Sequence, residues 1–132
     1  MAEKFLKKII AQNQEDLRVI SALCSESKIK QSEIKFLKKN KIFLISLERE
    51  DKENINKDKK INSILKFEFI DKSQSKNINQ NNNENILVLL AIDLFKKQNN
   101  YEIILLFSNN GIITLDAEIM EVTLEDLKQA ND

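Results

Sequence analysis

Much of the chain places apolar residues at every second position, a period typical of strands that bury one face. The segments 32–37 and 42–49 alternate in this way on either side of a turn at residues 40–41, so they predict a β-hairpin. A short first strand is expected at 4–11. Further strands are predicted at 61–70, 101–107 and 111–122.

Three other segments depart from this alternation. "ILVLLAIDLF", at 86–95, is apolar on both faces and indicates a central strand covered on both sides, although its apolar run is far too short to cross a bilayer. Residues 50–60 mix charges and predict a surface loop. Residues 71–85 are low in complexity and nearly devoid of apolar side chains, so they predict a long surface loop whose order the sequence leaves open.

A helical period follows Asn13, a residue suited to an N-cap, with Asp16 three positions later in an approximate capping box. The apolar residues after this cap share one face and predict a helix that covers the core. They are Leu17, Ile20, Leu23 and Cys24.

A second, shorter helix is predicted at 123–130. Thr123 is a good N-cap, and Asp126 occupies the capping-box position. Val122 and Leu127 stand at the two positions of a hydrophobic staple. We therefore interpret the acidic residues of this segment as helix-capping groups.

The predicted order of elements is β-α-β-β-β-β-β-β-α, an α+β fold in a single domain over 1–132. Six or seven sequential antiparallel strands in so short a chain indicate a meander that is strongly curved or partly closed. A helix follows the first strand and a short helix ends the chain. A pleckstrin-homology-like barrel, with seven strands and a terminal helix, is an alternative that the early helix does not match.

Composition excludes several classes of function. The chain has 21 basic and 21 acidic residues, without the basic surplus that nucleic-acid binding usually requires. It has no histidine and one cysteine, which removes Ser–His and Cys–His catalysis and Cys/His zinc sites. The N-terminus shows no signal peptide, so the expected location is the cytoplasm. No cofactor and no catalytic residue is predicted.

The only glycine, Gly111, follows two asparagines in the hairpin predicted for 101–119. A three-residue loop ending at Gly111 pairs Phe107 with Ile113 and keeps the apolar faces together, whereas a two-residue loop puts aspartate opposite leucine. Gly111 is then expected to adopt the left-handed conformation of the turn. The same register pairs Leu105 with Leu115, Ile103 with Ala117, and Tyr101 with Ile119.

That register places Asp116 on the less apolar face, where Glu102 lies opposite Glu118. One interpretation is a solvated strand face whose like charges are neutralised by lysines. The other is an acid cluster of Glu102, Asp116 and Glu118 that binds a cation or a basic partner. The cluster lacks the further ligands that calcium needs, so no metal site is predicted.

Two separated blocks, "EDLRVISALCSESKIKQSEIKFLKKNKIFLISLERE" and "LLAIDLFKK" followed by "YEIILLFSNNGIITLDAEIMEVTLEDL", resemble the DUF2948 family of uncharacterised alphaproteobacterial proteins. The resemblance covers most of the chain except 50–60 and 71–85. It departs where the family has glycines and this chain has Ser108, Asn109 and Asn110. It implies a single domain, a bacterial cytosolic setting and an unknown function.

The sequence therefore predicts a non-catalytic binding or assembly module that acts through contacts with a protein partner or through self-association. Apolar residues on the second faces of the strands, together with the segment 86–95, exceed what one thin layer can cover. The alternative is a pleckstrin-homology-like barrel that binds an anionic small ligand, headgroup or peptide. An enzyme comes third, because no pair of carboxylates, lysines or Tyr101 forms a convincing constellation.

Overall fold

A computed structural model describes residues 7–51 and 59–127. These residues form one helix and eight strands, with 3-10 turns at residues 31–33, 38–40 and 108–110. The elements are β1 (Lys8–Ala11), α1 (Gln14–Cys24), β2 (Ser27–Lys30), β3 (Ile34–Leu37), β4 (Ile42–Glu50), β5 (Lys60–Lys76), β6 (Ile86–Lys96), β7 (Tyr101–Phe107) and β8 (Ile112–Asp126).

The strands form a closed antiparallel barrel in the order β8, β5, β4, β2, β6, β7 and back to β8. One edge of β8 pairs with β5, while the other edge is shared by β7 at 112–117 and by β1 at 122–125. The predicted simple meander is corrected in two places, because β5 pairs with β8 and β2 pairs with β6 across long stretches of sequence. Closure gives each of these six strands a partner on both sides over part of its length, which reduces the exposed sheet edge.

The core is built by the inward-facing residues of each strand, as the period of two predicts. Ile45 of β4 pairs with Leu65 of β5, and both are fully buried. The Phe43 ring lies 6.1 Å from the ring of Phe36 on β3 and 6.1 Å from that of Phe67 on β5. The predicted β3–β4 hairpin is confirmed, since Phe36 pairs directly with Phe43.

The helix begins where the capping signal places it. The Asn13 side chain accepts a hydrogen bond from the backbone N–H of Asp16 at 2.8 Å. The helix buries one apolar side, which includes Cys24, against the barrel. The Ser21 hydroxyl accepts a hydrogen bond from the backbone N–H of Ile92 at 2.9 Å, so α1 covers a stretch of β6 that lies beyond the pairing of β6 with β2.

The helix predicted from Thr123 is wrong over the described residues, because β8 continues to Asp126. Thr123 is buried and pairs with Ile10 of β1 on one side and with Lys66 of β5 on the other. This double pairing satisfies the backbone groups and sends the neighbouring apolar side chains into the core, which a surface helix would not do. Residues 128–130 of the predicted helix lie outside the described residues.

The predicted loop at 71–85 is also wrong in its first part. β5 extends to Lys76, and its polar end pairs with the start of β8, as Gln74 does with Thr114. Backbone hydrogen bonds to a partner strand hold this segment although its side chains offer little to bury. Turns follow over 77–85.

The loop predicted at 50–60 falls between β4 and β5, and its residues 52–58 lie outside the described residues. The first strand, predicted at 4–11, is observed at Lys8–Ala11. The separate strand β2 was not predicted as such. Within residues 7–51 and 59–127, no helix is long and apolar enough to cross a membrane.

Candidate functional site

The hairpin of β7 and β8 forms as predicted, but its register is shifted by two residues. Leu105 pairs with Ile113 rather than with Leu115. A shift of two leaves every side chain on its predicted face, whereas a shift of one would exchange the faces. The apolar inner face of the hairpin is therefore preserved although the individual pairs differ.

Gly111 does not supply the left-handed residue of this turn. Asn109 and Asn110 adopt φ of 61° and 64°, while Gly111 has an extended φ of −70°. Asparagine is one of the few residues that enter this region readily. A Cβ atom on Gly111 would lie 3.2 Å from Ile78 Cγ1 and 3.3 Å from Phe107 Cβ. The glycine is thus explained by close packing rather than by φ.

The three carboxylates of the acid cluster are divided between two lysines. Glu102 lies directly opposite Asp116, and Lys97 Nζ approaches Glu102 at 2.9 Å. The hydrogen bond and charge of Glu102 raise the pKa of Lys97 above its usual value. Glu118 lies instead 4.0 Å from Lys41 Nζ. In the part of the chain that the structure describes, no group of three or more His, Cys, Asp or Glu could hold a metal ion.

The most deeply buried charges lie elsewhere, at the end of the barrel where β4, β5 and β8 meet. Arg49 is 1% exposed and forms a two-point ion pair with Asp126, with Nε–Oδ1 at 3.1 Å and Nη2–Oδ2 at 2.9 Å. Asp126 also accepts hydrogen bonds from the Ser63 hydroxyl at 2.7 Å and the Lys7 backbone N–H at 3.2 Å.

Burial alone would raise the pKa of the Asp126 carboxyl. The hydrogen bonds of Arg49 and Ser63, the charge of Arg49 and the backbone of Lys7 outweigh burial and hold that pKa below its usual value. The carboxylate is therefore ionised at neutral pH. It ties the last strand to β4, β5 and the segment entering β1, which is a role in stability.

Sequence reasoning missed Arg49, although a signal was present. The chain has two arginines against nineteen lysines. A planar guanidinium can bind a carboxylate through two parallel hydrogen bonds, whereas a lysine ammonium cannot. An arginine within an alternating strand of a lysine-rich chain therefore indicates a buried carboxylate partner.

A second carboxyl pair, not singled out in the sequence, lies across β5 and β8. Glu68 is directly opposite Glu121. A hydrogen bond from one carboxyl group to the other, together with partial burial, raises the pKa of Glu68. The Gln12 side chain donates to Glu121 Oε1 at 2.8 Å, and this contact and the one with Glu68 lower the pKa of Glu121. Each carboxyl group therefore alters the pKa of the other, Glu68 upward and Glu121 downward.

The outside of the barrel carries a contiguous apolar surface across three strands, here named the β6–β7–β8 face. Leu106 of β7 lies beside Ala91 of β6 and pairs with Ile112 of β8. Leu90 is the extra residue of a bulge in β6, which turns it outward. The face comprises Ile86, Val88, Leu90, Ile104, Leu106 and Ile112.

Three of the six side chains of this face are exposed to solvent. Ile86, Leu90 and Leu106 are 52%, 47% and 36% exposed, and the other three are half-buried. Large apolar side chains grouped in this way on a barrel surface mark interaction sites more often than singly scattered ones do. The sequence had indicated the surplus through Ile104 and Leu106 on the second face of β7.

A groove of about 610 Å³ adjoins the face at Ile86 and runs across β2 and β4. The charges of its described lining residues balance, with two lysines and two glutamates. They are Lys28, Lys30, Glu33 and Glu48. Leu127 adds an apolar side chain at the far end.

Comparison with known proteins supports the resemblance seen in the two sequence blocks. No curated protein and no solved structure matches the chain. A family model described as a protein of unknown function matches residues 7–132, which is nearly the whole chain. The chain therefore belongs to the DUF2948 family.

Proposed function

We propose that this protein is a non-catalytic cytoplasmic binding module that associates with protein surfaces through the β6–β7–β8 face, and that a second copy of the chain is its partner. The observation that carries the proposal is the exposure of Ile86, Leu90 and Leu106 together on neighbouring strands. Burial of such a surface is favourable by about 25 cal/mol for each Å² removed from water.

Self-association is favoured by charge and by symmetry. The formal net charge of the chain is zero, so two copies approach without long-range repulsion. A two-fold dimer needs only one self-complementary patch on each subunit, and two-fold dimers are the commonest soluble oligomers. The face is apolar at its centre, and Lys28 and Lys30 border it next to Ile86 and Val88, which resembles the core and polar rim of protein interfaces.

The geometry gives less support to the alternative of an anionic ligand. The groove beside the face carries Lys28 and Lys30 but also Glu33 and Glu48, so its charges do not select an anion. The acid cluster is likewise divided between lysines. Catalysis is the third alternative. The buried ion pair gives it no support, because the Asp126 carboxylate is already bound by Arg49 and Ser63.

Sedimentation velocity over a range of protein concentrations tests the proposal. We expect the wild-type protein to approach twice the chain mass of 15.4 kDa as concentration rises. Leu90→Lys and Leu106→Lys should each keep the protein monomeric, because each places a charge in the centre of the buried surface.

Ile10→Lys is the matched control. Ile10 is 51% exposed on β1, which pairs with the opposite half of β8 from the face. This variant should dimerise like the wild type, and circular dichroism should show that all three variants are folded. A wild type that stays monomeric at high micromolar concentration would overturn the second-copy partner. Equal effects of all three substitutions would overturn the assignment to this face.

A further inference from the structure

A cavity of about 230 Å³ lies at one end of the barrel, away from the Arg49–Asp126 pair. The 3-10 turn after β2 forms one side, and the segment 77–85 after β5 forms the other. These two sides are joined by backbone hydrogen bonds from Gln31 N–H to Asn85 O at 2.8 Å and from Ser32 N–H to Asn83 O at 3.0 Å. The cavity is therefore a defined part of the fold rather than a gap between unconnected loops.

Gln31 lines this cavity and is 8% exposed. Its side-chain Nε2 donates to the carbonyl oxygen of Asn79 at 2.6 Å, which fixes the orientation of the amide. Its Oε1 atom is then a buried acceptor without a hydrogen-bond partner among the described residues. Buried acceptors in folded proteins are nearly always satisfied, so this atom indicates a missing donor.

The rest of the lining restricts what the donor can be. Among residues 7–51 and 59–127, no lysine, arginine, aspartate or glutamate lines the cavity. Ile34, Ile78 and Ile113 supply an apolar wall, and the rim is made of amides and hydroxyls. One rim contact, from Gln80 Nε2 to Ser75 Oγ at 2.7 Å, is already made. An ion would lose its hydration here without gaining an opposite charge.

We propose that this cavity binds a small uncharged nitrogen heterocycle of the nucleobase class, which donates an N–H hydrogen bond to Gln31 Oε1 and lays its ring against the isoleucine wall. The volume is far larger than the roughly 30 Å³ that one water molecule occupies in the liquid. A planar base combines apolar ring faces with N–H donors at its edge. A polyol presents hydroxyl groups on all sides and has no comparable apolar face.

The test is a titration of the ¹⁵N-labelled full-length protein with uracil and adenine, followed by amide chemical shifts. Glycerol, glucose and inorganic phosphate are the comparison probes. We expect the bases to shift the amide signals of Gln31, Ile78 and Ile113. Gln31→Met, which keeps the length but removes the acceptor, should weaken binding about tenfold, as expected for one hydrogen bond.

Ile78→Phe is a second variant that leaves Gln31 intact and narrows the cavity, and it should abolish the shifts. Gln12→Met removes an amide outside the cavity and should bind like the wild type. The proposal is overturned if neither base shifts these signals, if Gln31→Met binds equally well, or if glucose binds and the bases do not. The outer-face variants Leu90→Lys and Leu106→Lys should retain binding, so the two proposals succeed or fail separately.

Discussion

Replacing Arg49 by methionine should destabilise the protein more than a single change of any other described charged residue except its partner Asp126. The substitution removes both hydrogen bonds from Arg49 to Asp126 and leaves that carboxylate buried. Among the described residues, the Ser63 hydroxyl and the Lys7 N–H remain as its donors. Breaking a buried ion pair by removing one partner costs about 3–5 kcal/mol, chiefly because a lone charge remains away from water.

The nearly complete burial of both side chains is the condition under which this cost applies. Arg49 and Asp126 are 1% and 5% exposed, so water has little access to either charge when its partner is removed. Because a domain of this size is stable by only about 5–15 kcal/mol, the loss is a large fraction of the total. Asp126→Leu should cost a similar amount, because it leaves the buried guanidinium of Arg49 without its carboxylate partner.

The combined variant separates the cost of an unpaired buried charge from the cost of altered packing. Arg49→Met with Asp126→Leu leaves no lone charge, so we expect it to be more stable than either single variant. It still leaves Ser63 without its acceptor, which should cost about 1–3 kcal/mol. Urea denaturation followed by circular dichroism gives the free energy of unfolding for each protein.

Arg18→Met is the matched control, because Arg18 is the other arginine and lies exposed on α1. It should change the free energy of unfolding by no more than about 0.5 kcal/mol. The reasoning is refuted if Arg49→Met costs no more than Arg18→Met. It is also refuted if the combined variant loses the sum of the two single losses, since that would mean that the charges do not interact.

The helix N-cap at Asn13, the β7–β8 turn and the Glu68–Glu121 pair can each be tested by substitution. Asn13→Ala should cost about 1 kcal/mol in urea denaturation by removing the helix N-cap, and an unchanged midpoint would contradict that contact. Gly111→Ala should lower the thermal midpoint, because the added Cβ atom would crowd Ile78 and Phe107. Asn110→Gly should not lower it, because the positive φ of Asn110 suits glycine. The reverse order would refute the packing explanation. Because the pKa of Glu68 is raised, its contribution to stability is present at low pH and is lost as pH rises through that pKa. Because the pKa of Glu121 is lowered, its contribution is present at higher pH and is lost as pH falls through that pKa. Glu68→Gln should therefore reduce the loss of stability between acidic and neutral pH, measured by thermal unfolding in a series of buffers. An unchanged profile would count against the contact between Glu68 and Glu121.

Local signals were sufficient where the deciding contacts are local. The N-cap at Asn13 and the helix after it were predicted because the hydrogen bond joins residues three apart. The inner and outer faces of the β7–β8 hairpin were predicted because alternation survives a register shift of two. The shift itself was not predictable, since it depended on which of three adjacent turn residues adopt positive φ.

Asp126 shows where the sequence could not decide. A threonine with an aspartate three positions later fits a capping box, and it fits equally well the end of a strand. Its partner Arg49 lies 77 residues away in the chain, so no local pattern records the contact. The orphan acceptor of Gln31 and the joined outer surfaces of β6, β7 and β8 likewise exist only after the barrel closes.

Local sequence was enough to predict the alternation within most strands, the first helix, the absence of histidine chemistry and the surplus of apolar surface. These properties depend on residue type and short-range spacing. Tertiary structure alone decided the closure of the barrel, the buried ion pair and the end cavity. These depend on pairings between distant strands, whose hydrogen bonds and burial outweigh the local preferences of the segments that they join.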